Sequence, residues 1–368
     1  MGAVKNKAYK FRIYPNEEQE ELFAKTFGCK RFVYNRILSD RIAYYEETKK
    51  TKRITPARYK EEYPWLKEVD SMALVNAQLD VESAFRNYWK NPETGFPKYK
   101  TKRAARQSYT TNLINGNIRL ENGQLKLPKA GYVRIRQHRS IPEGYRLKSV
   151  TVSRDGSGRY YASMLYAYEA VKEPVKPQSF LGLDYAMHKL YADSEGNRPE
   201  YPGYYREAEE RLKREQRKLS HMVKDSQNWR KQKKKIAKLF AKTADQRKDF
   251  LHKESRRIAN AYDCVCIEDL DMKAMSQEMN FGKPVMDNGW RMFTAFLEYK
   301  LEEQGKNLLR VGRFFPSSQI CSCCGEKDPV TKDLSVRRWR CIHCGTEHDR
   351  DVNAAVNIRN EGIRMISG

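Results

Sequence analysis

The sequence predicts a multidomain α/β protein in which strand-rich and helical regions alternate along the chain. Three observations support this fold class: a strand-like start, a helical pattern up to about residue 90, and strand-turn-strand patterns over 108–176. The 368 residues are enough for two or three domains, and an apolar content of 39% is enough for folded cores.

The amino-terminal half is predicted to be a strand-rich region that a helical block interrupts. Residues 5–14, KNKAYKFRIY, alternate loosely as a strand does, and Pro15 and Asn16 then open a helix. A break rich in Gly, Pro and Lys over 91–103 precedes the later strand patterns. We therefore expect the first strand to join those later strands and the helices to form an insertion.

The carboxyl-terminal half is predicted to alternate apolar strands with helices. A Pro-containing linker, EPVKPQS, precedes the strand FLGL, and a long helical hairpin over 204–260 is broken near KDSQNW. A second apolar strand, CVCI, and a helix, MFTAFLEYKLEEQG, come next. The hairpin keeps apolar residues at helical spacing, while its other faces are dense in Lys and Arg.

The charge of the chain predicts a polyanionic partner. Lys and Arg number 71 against 47 Asp and Glu, which gives a net charge of +24. A solvated basic surface is the alternative, but so much uncompensated charge would repel itself. We find no apolar leader or membrane-spanning run, and the eight cysteines do not suggest a disulfide framework. These features predict a cytoplasmic protein without a membrane partner.

Two CxxC pairs near the end of the chain predict a structural zinc site. Their spacing is typical of zinc ligands, and four thiolates fill a tetrahedral site without leaving a position for water. The predicted ligands are Cys321, Cys324, Cys341 and Cys344. His343 and His348 lie beside them as alternative ligands. The arginines of the segment 337–340 are expected to offset the charge of the thiolates and to face nucleic acid.

Three acids are predicted to form a second, catalytic metal site. Asp184 follows the strand FLGL, Glu268 ends the strand CVCI, and Asp351 begins the helix after the cysteines. This order is typical of RNase H-like nucleases, whose carboxylates bind two divalent ions roughly 3.5–4 Å apart. Mg²⁺ suits such an oxygen-rich site. Each acid alone is more often a cap or turn residue, so the prediction depends on their combination.

Other catalytic classes lack their motifs in this sequence. We find no HExxH pair, no phosphate-binding Walker loop and no GxSxG elbow. The basic runs of the helical hairpin, which include Lys233, Lys234 and Arg247, favour phosphate binding over an ordinary solvated face. Such contacts would position a nucleic acid without reading its sequence.

The segments of this chain together resemble the TnpB family, the RNA-guided DNA nucleases of bacterial insertion sequences that are related to type V CRISPR effectors. The resemblance covers almost the whole chain. It rests on KAYKFRIYPNEEQ, TFGCKRFVYN, YPWLKEVDSMAL, GFPKYKTK with SYTTN, the GLDYA segment, DFLHKESRRIA, IEDL, FFPSSQICSCCG and CGTEHDRDVNAAVNI.

The resemblance implies a particular division into domains. It implies a wedge β-barrel over 1–14 and 108–177, with a helical recognition lobe inserted over 15–107. It also implies a RuvC-like nuclease domain over 178–316 and 349–368, with the basic hairpin at 204–260 and an inserted zinc ribbon over 317–348.

The resemblance also implies a function. The family's RuvC acids fall on Asp184, Glu268 and Asp351, which is the second acid of the DRD segment. The implied partners are a guide RNA from the transposon end and double-stranded target DNA beside a short motif. Further nucleic-acid contacts are expected in the recognition lobe, the second strand region and the zinc ribbon, at Ser71, Val75, Asn76, Tyr109 and Arg338.

Three alternatives to a transposon-encoded RNA-guided nuclease in the bacterial cytoplasm remain at this point. A nuclease-inactive RNA-guided repressor is disfavoured because relatives of that kind lose RuvC acids. A transposase is disfavoured because no Tyr and His-hydrophobe-His constellation is visible. A compact type V CRISPR effector cannot be separated by sequence. The sequence does not predict the motif beside the target, the guide sequence or the oligomeric state. A monomer in the RNA complex is one option for that state.

Overall fold

The computed structural model describes residues 3–103, 107–170, 173–187, 189–272, 289–333 and 335–367. The chain divides into two compact units, Met1–Val171 and Lys172–Gly368. Parts of the expected domains, including 273–288 of the nuclease, lie outside the described residues. Across the described ranges, no helix is both long enough and apolar enough to span a membrane.

The first unit is built on an antiparallel sheet. Its strands are β1 (Ala3–Tyr14), β2 (Ser108–Asn112), β3 (Arg119–Glu121), β4 (Gln124–Leu127), β5 (Gly131–Arg136), β6 (Arg146–Arg154) and β7 (Tyr160–Ala170). They follow the order β2-β6-β7-β1-β5-β4-β3. Strand β1 pairs with β7 along most of its length and with β5 at its end. This pairing confirms that the first strand joins the later ones.

A helical block lies between β1 and β2 in sequence, as the apolar spacing predicts. It contains α1 (Glu17–Thr48), α2 (Ala57–Glu62) and α3 (Ser71–Lys90), with short 3₁₀ turns at Pro64–Lys67 and Pro92–Thr94. Asn16 and Gln19 form a reciprocal capping box that fixes the start of α1. Helices α1 and α3 bury their apolar faces together, through residues such as Val33, Ile37 and Leu74.

The second unit contains a smaller, mostly parallel sheet with helices on both faces. Its elements are β8 (Phe180–Ala186), β9 (Leu190–Asp193), α4 (Tyr204–Ser220), α5 (Gln227–Ala261), β10 (Cys264–Glu268), α6 (Trp290–Glu302), β11 (Asn307–Val311), a 3₁₀ turn (Pro329–Lys332), β12 (Arg338–Arg340), β13 (Glu347–Asp349) and α7 (Arg350–Ser367). The sheet order is β11-β10-β8-β9, and only β9 runs antiparallel to its neighbour. Helices α4 and α5 confirm the predicted hairpin and its break.

Alternation along β8 and β10 separates the two faces of this sheet. Leu181, Leu183, Val265 and Ile267 belong to one apolar cluster with residues of α5 and α6. The alternate residues, including Gly182 and Cys266, face α7 instead. The two acids that follow in the same alternation, Asp184 and Glu268, therefore belong to the face that α7 covers.

Helix α7 lies unusually close to the sheet because two glycines leave room for it. A Cβ at Gly182 would overlap the carbonyl oxygen of Ala355 and would come within 2.9 Å of the Arg359 Cβ. A Cβ at Gly362 would likewise overlap the Cys266 sulfur. Neither glycine has a positive φ, so close approach is the reason for glycine at both positions.

We expect Gly182→Ala to destabilise the second unit by about 3 kcal/mol, since backbone cannot yield as a flexible side chain can. Chemical denaturation monitored in both units measures this loss. Gly28→Ala in α1 is the matched control, because a Cβ there meets nothing within 4 Å. An equal response of the two variants would contradict the packing described for α7.

Candidate active site

The register of the parallel strands brings two of the predicted acids side by side. Leu183 of β8 is paired with Ile267 of β10, so the next residues, Asp184 and Glu268, continue the same register. Neighbouring strands lie about 4.8 Å apart, and both side chains point to the same face. The acids stand where the parallel strands end, the edge at which ligands bind in open α/β sheets.

Helix α7 brings the third acid to the same place. Asp351 lies one helical turn before Ala355, which is the residue packed against Gly182. The structure thus gathers the three predicted acids around one pocket of about 470 Å³. The other walls are Tyr185, the loop 313–319, Arg337 and Arg350.

The electrostatics of this pocket favour a cation. Burial raises the pKa of Asp184 well above its usual range, and the nearby Asp351 and Glu268 raise it further. Burial also raises the pKa of Glu268. The donors are all carboxylate oxygens, which suit Mg²⁺. The three carboxylates do not form a tight ligand cluster. Among the described residues, the only group of three or more His, Cys, Asp or Glu side chains whose ligand atoms lie within 4.8 Å of one another is the four cysteines.

The DRD segment separates a structural acid from the one that faces the pocket. Asp349 accepts hydrogen bonds from the backbone N–H groups of Asp351 and Val352, both at 3.1 Å, and so caps α7. Arg198 binds Asp349 at 2.6 Å and lies 3.5 Å from Asp351. This supports the prediction that Asp351, not Asp349, is the acid of the site.

Arg337 has a different partner from the one the sequence predicts. Its guanidinium lies 3.3 Å from the Asp351 carboxylate, whereas we expected the segment 337–340 to offset the thiolates. Asp351 therefore stands between two arginines, Arg337 and Arg198. Both guanidinium groups place positive charge at the pocket that the acids line.

Three polar residues of α7 that sequence reasoning missed attach the cysteine segment to this helix. Arg350 donates to the carbonyl oxygens of Thr331 (2.9 Å) and Asp333 (2.8 Å). Asn353 donates to Ile320 O at 2.7 Å and accepts from Ser322 N at 2.9 Å. Asn357 donates to the Ser317 and Ile320 carbonyls, each at 2.7 Å. All three side chains are buried. In the sequence, the one feature that could have predicted these contacts is the helical spacing of the three polar residues within an Ala-rich segment.

The predicted cysteine cluster is present. The Cys321 and Cys344 sulfurs are 3.6 Å apart, and those of Cys324 and Cys341 are 3.7 Å apart. A tetrahedral Zn²⁺ with bonds of 2.3 Å requires sulfurs about 3.8 Å apart, so the four thiols fit this ion. Each CxxC pair closes the same turn, in which the N–H of the following glycine donates to the first cysteine carbonyl at 2.9 Å.

The two alternative histidine ligands are placed differently from each other. His348 Nε2 lies 3.0 Å from the Cys321 sulfur, and its ring stacks near Trp339. This geometry suits a hydrogen bond to a ligand sulfur, a common way of orienting metal ligands. His343 is exposed. The four cysteines therefore remain the better ligand set.

The prediction that Tyr109 contacts nucleic acid is wrong. Tyr109 is only 1% exposed and packs between Phe23 and Phe27 in the core of the first unit, so its ring cannot stack on a base. The alternation of SYTTN does not reveal which face is inward until its pairing with β6 is known.

The other predicted contacts differ in exposure. Asn76 donates its amide to Thr110 O at 3.0 Å, and Ser71 accepts from Lys60 at 2.8 Å. Val75 is half-buried on α3. Of the predicted contacts on the helical hairpin, Lys233 and Lys234 are exposed and Arg247 is half-buried. Arg338 of the cysteine segment is exposed. These exposed cations remain available to a polyanion, and Asn76 has a structural use within its own unit.

Three family models match parts of the chain. Residues 163–279 match a family described as a probable transposase of the OrfB IS605 type. Residues 290–358 match the TNB domain of Cas12f1-like proteins. Residues 1–50 match a helix-turn-helix domain, and in this structure they carry β1 and α1.

Whole-chain relatives extend this likeness. A Streptomyces pristinaespiralis protein named "Putative RNA-guided DNA endonuclease" is 36% identical over 99% of this chain and 90% of its own length. "Putative RNA-guided DNA endonuclease InsQ" of Escherichia coli K12 is 31% identical over 98% and 93%. The cryo-EM structure of a Cas12f1–sgRNA–target DNA complex matches in fold, with a TM-score of 0.64, 16% identity, and coverage of 98% and 99%.

We expect Cys324→Ser to lose about one zinc ion per chain, measured by metal analysis of the purified protein. Hydrogen exchange over 317–349 should rise in parallel, because metal binding and folding are coupled in such segments. The matched control is Cys323→Ser, since this neighbouring cysteine is exposed and outside the cluster. Loss of zinc from the control with retention by Cys324→Ser would contradict the ligand set.

We expect Asp184→Asn to raise the melting temperature in magnesium-free buffer. The folded-state pKa of Asp184 is raised, so its favourable contribution exists at low pH and is lost as pH rises through that pKa. The wild type should therefore lose stability with rising pH more steeply than the variant, by a few degrees in melting temperature. Asp249→Asn, a change at an exposed acid of α5, is the control. A lower melting temperature for Asp184→Asn would contradict the destabilisation of the Asp184 carboxylate by burial and by Asp351 and Glu268.

Proposed function

This chain belongs to the TnpB family, and from that membership we propose that it is an RNA-guided DNA endonuclease of a bacterial transposable element. The observation that carries the proposal is the meeting of Asp184, Glu268 and Asp351 in one pocket of a strongly basic chain. Relatives that are 36% and 31% identical over nearly the whole chain support it.

The fold supports a finer assignment of domains. The order β11-β10-β8-β9 with α7 across its face supports an RNase H-like RuvC domain over 178–316 and 349–368. The cysteine segment, 317–348, would be a zinc ribbon inserted between β11 and α7. The sheet of the first unit would be the wedge barrel, and α1–α3 the recognition lobe.

The reaction would be hydrolysis of a phosphodiester bond. Asp184, Glu268 and Asp351 would hold a pair of Mg²⁺ ions, since the three carboxylates line one wide pocket. When bound, Mg²⁺ supplies an activated water and stabilises the leaving oxygen. Asp349 would hold Asp351 at the pocket by capping α7, and Arg198 and Arg337, which both pair with Asp351, would add positive charge near a bound phosphate.

Recognition of the target would be divided between RNA and protein. Guide RNA from the transposon end would pair with one DNA strand, while the protein binds the backbone and reads a short motif beside the target. The net charge of +24 and the exposed lysines of α5 support backbone binding, which should weaken steeply with salt. The single site would cut the displaced strand and then the target strand.

We expect Asp184→Ala to lower cleavage of target plasmid by more than about 100-fold while RNA-directed DNA binding persists, because the proposed role of this acid is to hold metal for the chemical step. The assay isolates the protein with its co-purifying RNA, sequences that RNA and tests cleavage of a plasmid library with randomised flanks. Asp249→Ala is the surface control.

Two results would contradict this function. Wild-type protein without a discrete bound RNA would remove the guided model. Full cleavage by Asp184→Ala would remove the acid assignment and leave the guided model intact.

A further inference from the structure

An exposed aromatic ring stands at the mouth of the acid pocket. Phe314 is 94% exposed, more than any other large apolar side chain in the described part of the chain. It lines the same pocket as Asp184, Glu268 and Asp351. Single exposed apolar residues are common on protein surfaces, but a fully exposed ring beside a cluster of acids is a candidate for binding a flat apolar group.

The loop that carries this ring is held in place on both sides. The next residue, Phe315, packs against the buried cluster that contains Val311 and Ile358. Its N–H donates to Gly312 O at 2.9 Å, and Ser317 N donates back to Phe315 O at 2.8 Å. Asn357 of α7 then binds the Ser317 carbonyl at 2.7 Å. The outward position of Phe314 therefore follows from a fixed backbone.

The residue before the ring is a cation that lines the same pocket. Arg313 lines the acid pocket and also a neighbouring groove of about 470 Å³ that contains Trp290, Arg291 and Arg310. Its Nε donates to Asp269 O at 3.3 Å, so its direction is set, yet the side chain remains 49% exposed. Positive charge next to an exposed aromatic face is the combination by which proteins bind single strands: the cation takes the phosphate and the ring takes the base.

We propose that Phe314 stacks on the base next to the phosphodiester bond in the acid pocket, while Arg313 binds the adjoining phosphate. A base inside a duplex is covered on both faces, so such a platform selects a strand whose bases are already unstacked. The ligand is thus a nucleotide of single-stranded DNA. This inference rests on the proposed nuclease function and adds a binding residue to it.

The test uses the full-length Asp184→Ala protein with its RNA, so that binding is measured without cleavage. Single-stranded oligonucleotides carry one 2-aminopurine at successive positions around the cut site mapped with the wild type. We expect quenching at one position next to the cut. Adding Phe314→Ala should abolish that quenching and weaken binding about 5- to 150-fold, the range for removal of one stacking side chain.

Two further substitutions separate stacking from apolar contact and from folding. Phe314→Trp should keep both the quenching and the affinity, whereas Phe314→Leu, which retains apolar volume, should lose the quenching. Ile342→Ala is the matched control, because Ile342 is 68% exposed in the cysteine segment and does not line the pocket. It should bind and quench like the parent protein.

The outcomes distinguish this inference from the proposed function. If the wild type cuts guided targets and Phe314→Ala quenches and binds like Ile342→Ala, the stacking role is wrong and the nuclease assignment stands. If Phe314→Ala lowers the melting temperature while the quenching persists, the ring packs on the protein, which also overturns the inference. If the wild type fails to cut any guided target, the proposed function itself fails.

Discussion

The contact on which the rest of the second unit depends is the close packing of α7 against β8 and β10. Gly182 and Gly362 let the helix backbone rest on the strands, and that contact sets the position of Asp351 relative to Asp184 and Glu268. The same helix holds the cysteine segment through Arg350, Asn353 and Asn357. One helix therefore positions the third acid and anchors the cysteine segment, so the acid pocket and the cysteine cluster share a support.

The carboxylates of the acid pocket repel one another, and a bound cation would reduce that repulsion. Asp184 is disfavoured as a carboxylate by burial and by two neighbouring acids, and its pKa is raised accordingly. Arg350 acts in the opposite direction on the pKa of Asp184, and Arg198 and Arg337 pair with Asp351. A divalent cation with oxygen ligands would relieve this repulsion, because its charge would offset the free energy lost in bringing the carboxylates together.

Local patterns in the sequence were sufficient for the strands FLGL and CVCI, the helical hairpin and the four clustered cysteines, because each depends on spacing within a short segment. Asp184, Glu268 and Asp351 do line one pocket, and their catalytic role stays a prediction. Contacts between residues far apart in sequence could not be predicted from such local patterns. The burial of Tyr109 depends on the register of β2 with β6, and the contact of Arg337 with Asp351 depends on how the cysteine segment folds back on α7. The bonds of Asn353 and Asn357 to a loop more than 30 residues earlier are of the same kind.

The central position of β1 has a consequence for synthesis on the ribosome. Strand β1 (Ala3–Tyr14) is synthesised before its longest partner, β7, which ends at Ala170. Before β5 and β7 are synthesised, both edges of β1 are unpaired and can associate with other chains. The intervening helices of 17–90 can fold in the meantime through local contacts. The four cations of this strand, Lys5, Lys7, Lys10 and Arg12, would limit such misassembly during translation.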